Sequence, residues 1–251
     1  VSRRALLRSD AWQPLLWLAL LLTAALGLGE LDGLFRLLEP DSRTVIYGRA
    51  AFIDLLGSHL LLVALAACVS SLVGVGAAIM VTRRWGEDFL PLVSQVASIG
   101  QTIPPVAVLA LAVPALGFGN GPTLFALILY GLLPILRNSL AGLRSIDPAV
   151  LEAARGMGMA PLQVLCQVEL PLALNVILAG IRTSLTINIA TAAIGSTIGA
   201  STLGDPVISG LVTGNTAFIL QGAILIGLLA VAVDSLFEQL QRRAPGTGQA
   251  K

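Results

Sequence analysis

Catalysis needs ionisable or nucleophilic groups set side by side, and this sequence keeps its few such groups apart. There is one histidine, His59, at the outer mouth of an apolar run, so a histidine proton relay has no second member. None of the fourteen Asp and Glu residues falls in the middle of an apolar run; the nearest is Asp234, in the last turn of the final one. Paired carboxylates for general acid–base work are therefore missing, as are a Cys–His pair, an HExxH helix and a GxSxG elbow. A Walker A loop needs a lysine on the phosphates, and the only lysine is Lys251. Cys68 and Cys166 lie in unlike surroundings and read as packing residues, with no disulfide framework and no metal site. The chain reads as a non-enzyme with no catalytic residue and no cofactor of its own. If it moves a solute uphill, another subunit must supply the energy.

Two segments carry helix-start chemistry outside the apolar runs. In 144–170, Asp147 offers a cap acceptor and Pro148 has the fixed φ that suits a first helical position. Val150, Ala153, Ala154 and Met157 then form an apolar stripe, Glu152 lies one turn ahead of Arg155, and Gly156 and Gly158 end the helix. A helix of about ten residues is too short to span a bilayer and too short to be stable alone. Its face is expected to dock into a partner's groove, the alternative being packing on the protein's own membrane face. In 204–214 the logic recurs, with Asp205 as cap, Pro206 leading and Gly214 stopping. Asp205 and Pro206 mark a candidate dock for an external partner or a plain connector.

Composition names the solvent that positions these segments. Of 251 residues, 56% are hydrophobic and 12% charged, and mean hydropathy is +0.89. That charge density is about half that of a soluble domain, so the expected fold is an all-α polytopic membrane protein. A formal net charge of +1 with no long basic block excludes a nucleic-acid partner; the surrounding partner is membrane lipid. Six spans are expected, at about 14–28, 57–81, 89–116, 123–143, 171–195 and 216–237. The first could be mistaken for a signal peptide, but a retained helix keeps the span number even. Arg83, Arg84, Arg137, Arg144 and Arg155 fall on one side, whereas the loop 29–56 mixes Arg36, Arg43 and Arg49 with five acids. The positive-inside bias places both termini in the cytoplasm. The chain divides into 1–56 (first helix and outer loop), 57–238 (transmembrane core) and 239–251 (cytoplasmic tail). In span 89–116, Pro104 and Pro105 force a kink or break, and charge bias favours one kinked span. Polar groups at membrane depth should face the bundle or a pathway, which makes Gln101, Asn188 and Arg182, with Pro104 and Pro105, the candidate pathway or gate.

The segment 144–170 also resembles a known signature. Glu152-Ala153-Ala154, three residues, Gly158, nine residues and Val168-Glu169-Leu170-Pro171 are similar to the EAA signature of bacterial ABC-importer permeases, with Val168 the one departure. Gly100–Pro105, Gly180–Ser184, Ile198–Gly204 and Ala217–Ala223 resemble the osmoprotectant branch, above all the smaller permeases of low-affinity glycine-betaine uptake systems. The resemblance covers 57–243 and implies a type I ABC-importer permease of the bacterial cytoplasmic (inner) membrane. Its implied partners are a cytoplasmic ABC ATPase that binds ATP and Mg, a second permease (same or sister chain) and a periplasmic or extracytoplasmic solute-binding protein. It also implies that Glu152, Ala153, Ala154, Gly156 and Gly158 contact the ATPase. The implied solute is glycine betaine or a related quaternary ammonium compound. Alternatives are another small solute such as methionine, or an ion-coupled secondary carrier, which the missing midplane acids disfavour. Trp12, Trp17 and Trp85 all lie near the inner interface and form no aromatic cage for such a cation.

Overall fold

The computed structural model describes residues 12–83, 86–100 and 102–243. Eleven α-helices order these residues: α1 (Gln13–Gly27), α2 (Asp32–Arg36), α3 (Phe52–Val81), α4 (Leu90–Gly100), α5 (Pro105–Leu116), α6 (Asn120–Arg144), α7 (Pro148–Gly156), α8 (Pro161–Val164), α9 (Leu170–Gly195), α10 (Gly204–Thr213) and α11 (Thr216–Arg243). Five helical stretches are long and apolar enough to cross a membrane: Gln13–Glu30, Phe52–Val81, Asn120–Arg144, Pro161–Ile198 and Thr216–Arg243. Some of their leucines stay in the open, such as Leu26 at 68% and Leu72 at 77% exposure. Such apolar surface is stable only against lipid or another subunit.

The expected third span is corrected: it is two helices, not one kinked helix. Pro105 opens α5 as its first residue, because its missing N–H has no helical acceptor to lose there. Residues before a proline leave the α region, so α4 stops at Gly100. At about 1.5 Å per residue neither half reaches across a ~30 Å core alone. The Tyr130 hydroxyl donates to the Ile103 carbonyl and satisfies backbone freed by the break. The last helix continues past the expected boundary at 238 to Arg243.

The chain separates into two compact units. The first comprises 1–66, 105–127 and 186–236, the second 67–104, 128–185 and 237–251. In the first, Leu55, Leu109, Leu127, Ile189, Leu203, Leu225 and Leu229 are fully buried. The outer segment 39–47 is pinned there by side chains. Glu39 Oε1 accepts the Thr216 N–H (2.7 Å), Asn215 Nδ2 donates to the Thr44 carbonyl (2.9 Å), and Gln221 binds Tyr47 N–H and the Val45 carbonyl (3.0 and 2.7 Å). The hydrogen bonds from Thr216 hold the Glu39 carboxyl below its ordinary pKa.

In the second unit, Ala78, Leu133, Leu136, Leu140, Ala173 and Ile177 form the core. Glycines let its helices close up. A Cβ on Gly180 would lie 2.7 Å from that of Asn138, and one on Gly74 would lie 3.1 Å from the Ile135 side chain. Ser70 donates to the Ile128 carbonyl (2.9 Å) on the same approach. Pro134 interrupts α6 without breaking it, and Asn138 Nδ2 donates to its carbonyl (2.8 Å).

Candidate functional site

The loop between α6 and α9 folds as its sequence requires. Asp147 is the cap of α7, its carboxylate accepting the Ala149 N–H (2.9 Å), and Pro148 is the first helical residue. Gly158 has φ +81°, which lets the Gly158 N–H reach the Arg155 carbonyl (2.9 Å) and the Met159 N–H reach that of Ala154 (3.3 Å). Of the expected stripe only Ala154 is buried; Val150, Ala153 and Met157 stand exposed, with Glu152 and Gly156 beside them. This face is left without internal packing, the condition for docking on a partner.

The chain then runs through α8 and a π-helical stretch, Leu165–Glu169, into α9. Glu169 is buried, and Arg83 at the end of α3 grips it with both guanidinium ends, Nη1 to Oε1 at 3.1 Å and Nη2 to Oε2. Arg83 Nε donates to the Ile79 carbonyl (3.3 Å). The foot of this loop is thus bolted to α3. A cavity of about 530 Å³ beside this pair is walled by Thr82, Arg83, Arg155, Met159, Pro161, Val164 and Glu169. Sequence reading had Glu169 only as a signature position, and its partner lies 86 residues away.

Arg182 is likewise anchored. Nη1 donates to Gln241 Oε1 (3.4 Å) and Nη2 pairs with Glu238 (3.5 Å), while Gln241 Nε2 reaches the Asn175 carbonyl (3.3 Å). Arg182 therefore stitches α9 to the end of α11, a task sufficient to explain a charge at that depth. Asn188 is fully buried, and neither amide atom has a hydrogen-bond partner among the described residues. Pro104 is exposed at the break and Pro105 half-buried; Gln101 lies outside the described residues. A second cavity, about 560 Å³, contains Ser94, Arg137, Leu140, Ala141, Arg144 and Ser145.

The helix α10 corrects one expectation. Asp205 does not cap α10; Leu203 holds the cap position, and Thr202 Oγ1 accepts the Gly204 N–H (3.0 Å). Pro206 is buried, while Gly214 ends the helix at φ +71° as expected. His59 is fully buried, and its Nδ1 accepts the Leu203 N–H (3.3 Å). Asp205, Ile208, Ser209, Val212 and Thr213 share one face of α10, which with Tyr47, Arg49 and Ser196 walls a third cavity of about 260 Å³. Neither this cavity nor the other two is walled by Pro104, Pro105, Arg182 or Asn188.

Burial raises the Asp205 pKa, against the opposing hydrogen bonds from Ser196 and Thr202. A carboxyl with a raised folded pKa resists ionisation in the fold. Its ionisation therefore removes stability as pH climbs from the unfolded value through the folded one. Asp205→Asn lacks that loss, so the variant is expected to melt no lower than wild type at pH 7 and to show less decline between pH 4 and 7; thermal melts in detergent check this.

Five helical stretches long and apolar enough to cross a membrane, with a short exposed helix between two of them, define a class: a polytopic α-helical membrane protein. Residues 70–244 match the family described as binding-protein-dependent transport system inner membrane component, and the chain belongs to that family. It is 43% identical over 190 residues to the choline transport system permease protein OpuBD of Bacillus subtilis, covering 75% of this chain and 83% of that protein. It is 40% identical over 185 residues to the osmoprotectant import permease protein OsmY of Salmonella typhimurium, covering 74% and 78%. The glycine betaine/carnitine/choline transport system permease protein OpuCD of Bacillus subtilis is 42% identical over 185 residues, covering 73% and 80%. The fold matches that of an inward-facing MetNI methionine ABC transporter chain, with a TM-score of 0.69 and 20% identity over 76% of this chain and 95% of that one. That likeness concerns architecture alone. The chain is a multi-pass permease subunit of an ABC importer with type I architecture, and not an enzyme.

Proposed function

We propose that this permease imports quaternary ammonium osmoprotectants such as glycine betaine and choline across a bacterial cytoplasmic (inner) membrane. The observation that carries the reading is the 40–43% identity to permeases named for those solutes, spread over three quarters of the chain. In this reading a cytoplasmic ATPase binds ATP and Mg, and receives the face of α7 formed by Glu152, Ala153 and Gly156, with Gly158 fixing its end. A second permease completes the conduit and an extracytoplasmic binding protein delivers solute. ATP shifts the permease between states only through its different affinity for each.

The test is reconstitution of the permease with those partners in vesicles. ATP-dependent uptake of glycine betaine or choline, with none of methionine, is the expected result. Uptake of methionine alone, or uptake driven by an ion gradient without nucleotide, would refute the reading. Gly158→Val in the same assembly is expected to cut uptake at least about tenfold. A β-branched residue at φ +81° is strained by about 1–2 kcal/mol, and the docking helix loses its terminus. Uptake at the wild-type rate would remove the end of α7 from the contact.

A further inference from the structure

The cavity beside α10 combines features that packing does not require. Asp205 contributes a half-buried carboxylate held by Ser196, with no cation paired to it among the described residues. Tyr47 contributes a rigid aromatic wall: its ring meets Phe218 edge-on with centroids 5.7 Å apart and lies tilted on Phe52 at 6.4 Å. Gln221 fixes the Tyr47 backbone (3.0 Å). Arg49, two residues along, is an exposed cation in the same wall, and it too makes no ion pair among the described residues. A pocket that keeps opposite charges apart, next to an aromatic ring, matches a dipolar guest. Its volume of about 260 Å³ lies just below the ~300–1,000 Å³ of sites for drug-sized ligands, so the guest is a solute of few atoms.

We propose that this cavity is a weak solute-binding site of the permease itself, in which Asp205 and Tyr47 hold the quaternary ammonium head of an osmoprotectant and Arg49 holds the carboxylate of a zwitterionic one. Cation–π attraction and a carboxylate suit a methylated ammonium group, which has no N–H to donate and is attracted through charge and ring face. Arginine suits a carboxylate through paired N–H donors. All the wall residues belong to the first compact unit. By the charge bias of the sequence α10 lies on the outer side, where solute arrives. The inference rests on the proposed solute class and adds a discriminating site to a subunit otherwise read as a passive route.

The test titrates choline and glycine betaine into the permease–ATPase assembly in lipid nanodiscs, without the binding protein, and follows import by the full assembly in parallel. Wild type is expected to bind both solutes weakly. Asp205→Asn is expected to weaken both by about tenfold or more, the effect of losing one charge-assisted contact. Arg49→Gln is expected to weaken glycine betaine by a similar factor and choline, which has no carboxylate, by less than about twofold. Ser209→Phe, which fills the cavity from the α10 face, is expected to abolish both. Import of either solute by an assembly that binds neither would overturn the site and leave the functional reading standing. Equal affinities in wild type, Asp205→Asn and Ser209→Phe would do the same. Absence of both binding and import would overturn site and reading together.

Discussion

Arg83→Ala is expected to cost about 3–5 kcal/mol of stability and to abolish nucleotide-driven import, because it strands a buried carboxylate. Glu169 is only 6% exposed, and both of its oxygens are bound by Arg83. Removing the arginine leaves the buried carboxylate without the counter-ion that binds both its oxygens. In the proposed coupling the pair would also carry force, since it ties the end of α3 to the foot of the loop that carries α7. A force delivered to α7 can leave by the covalent route into α9 or through this bond into α3. The double variant Arg83→Leu, Glu169→Leu separates the two roles. A well-packed apolar pair in place of a buried ion pair is often neutral for stability. The double variant is therefore expected to recover most of the lost melting temperature while import stays impaired, because an apolar contact lacks the directional grip of a bidentate ion pair. Thermal melts and vesicle uptake measured on the same preparations check it. A single variant that melts with wild type would mean that Glu169 reaches water, and a double variant that imports normally would deny the pair any mechanical role.

The local elements were legible and the long-range ones were not. Asp147, Pro148 and Gly158 act on neighbours within a few residues, so spacing alone located the cap, the first turn and the left-handed stop of α7. The same rule misassigned Asp205. An Asp-Pro pair fits a cap, but the helix already begins at Gly204, which puts Asp205 inside it, and the Thr202 hydroxyl takes the Gly204 N–H instead. Pro104 and Pro105 announced a discontinuity, while its extent depended on Pro105 being able to open a new helix. Arg182 stood out as an odd charge, but its anchors Glu238 and Gln241 lie more than fifty residues further on. Gln221 holds the backbone of Tyr47 and Val45, 174 and 176 residues earlier. No periodicity reports such a contact, because a glutamine satisfied by a distant backbone is spelled like one satisfied by water.

Gly204→Ala is expected to be as damaging as the loss of Arg83, for a reason that has nothing to do with charge. A Cβ at 204 would sit 2.0 Å from the Ala193 carbonyl oxygen and 2.7 Å from its carbonyl carbon. Both obstacles are backbone, so no rotamer change can make room. On the other flank of α10, a Cβ on Gly222 would meet Val207 at 2.5 Å and the Leu203 carbonyl oxygen at 3.0 Å, so the start of the helix is wedged between α9 and α11. Overpacking usually costs 1–3 kcal/mol, and a clash confined to backbone belongs at or above the top of that range, about 3 kcal/mol or more. Gly57, in α3, has no heavy atom within 4 Å of its added Cβ. Gly57→Ala is therefore the matched control, and it is expected to melt with wild type or slightly above, since alanine is the better helix former. The comparison reaches function because Asp205 is the next residue. A shift large enough to seat one methyl displaces the carboxylate from Ser196 and opens the cavity, so choline binding should fall along with melting temperature in Gly204→Ala. If Gly204→Ala and Gly57→Ala melt together, the close approach of α10 to α9 is wrong, and the cavity that α10 walls loses its frame.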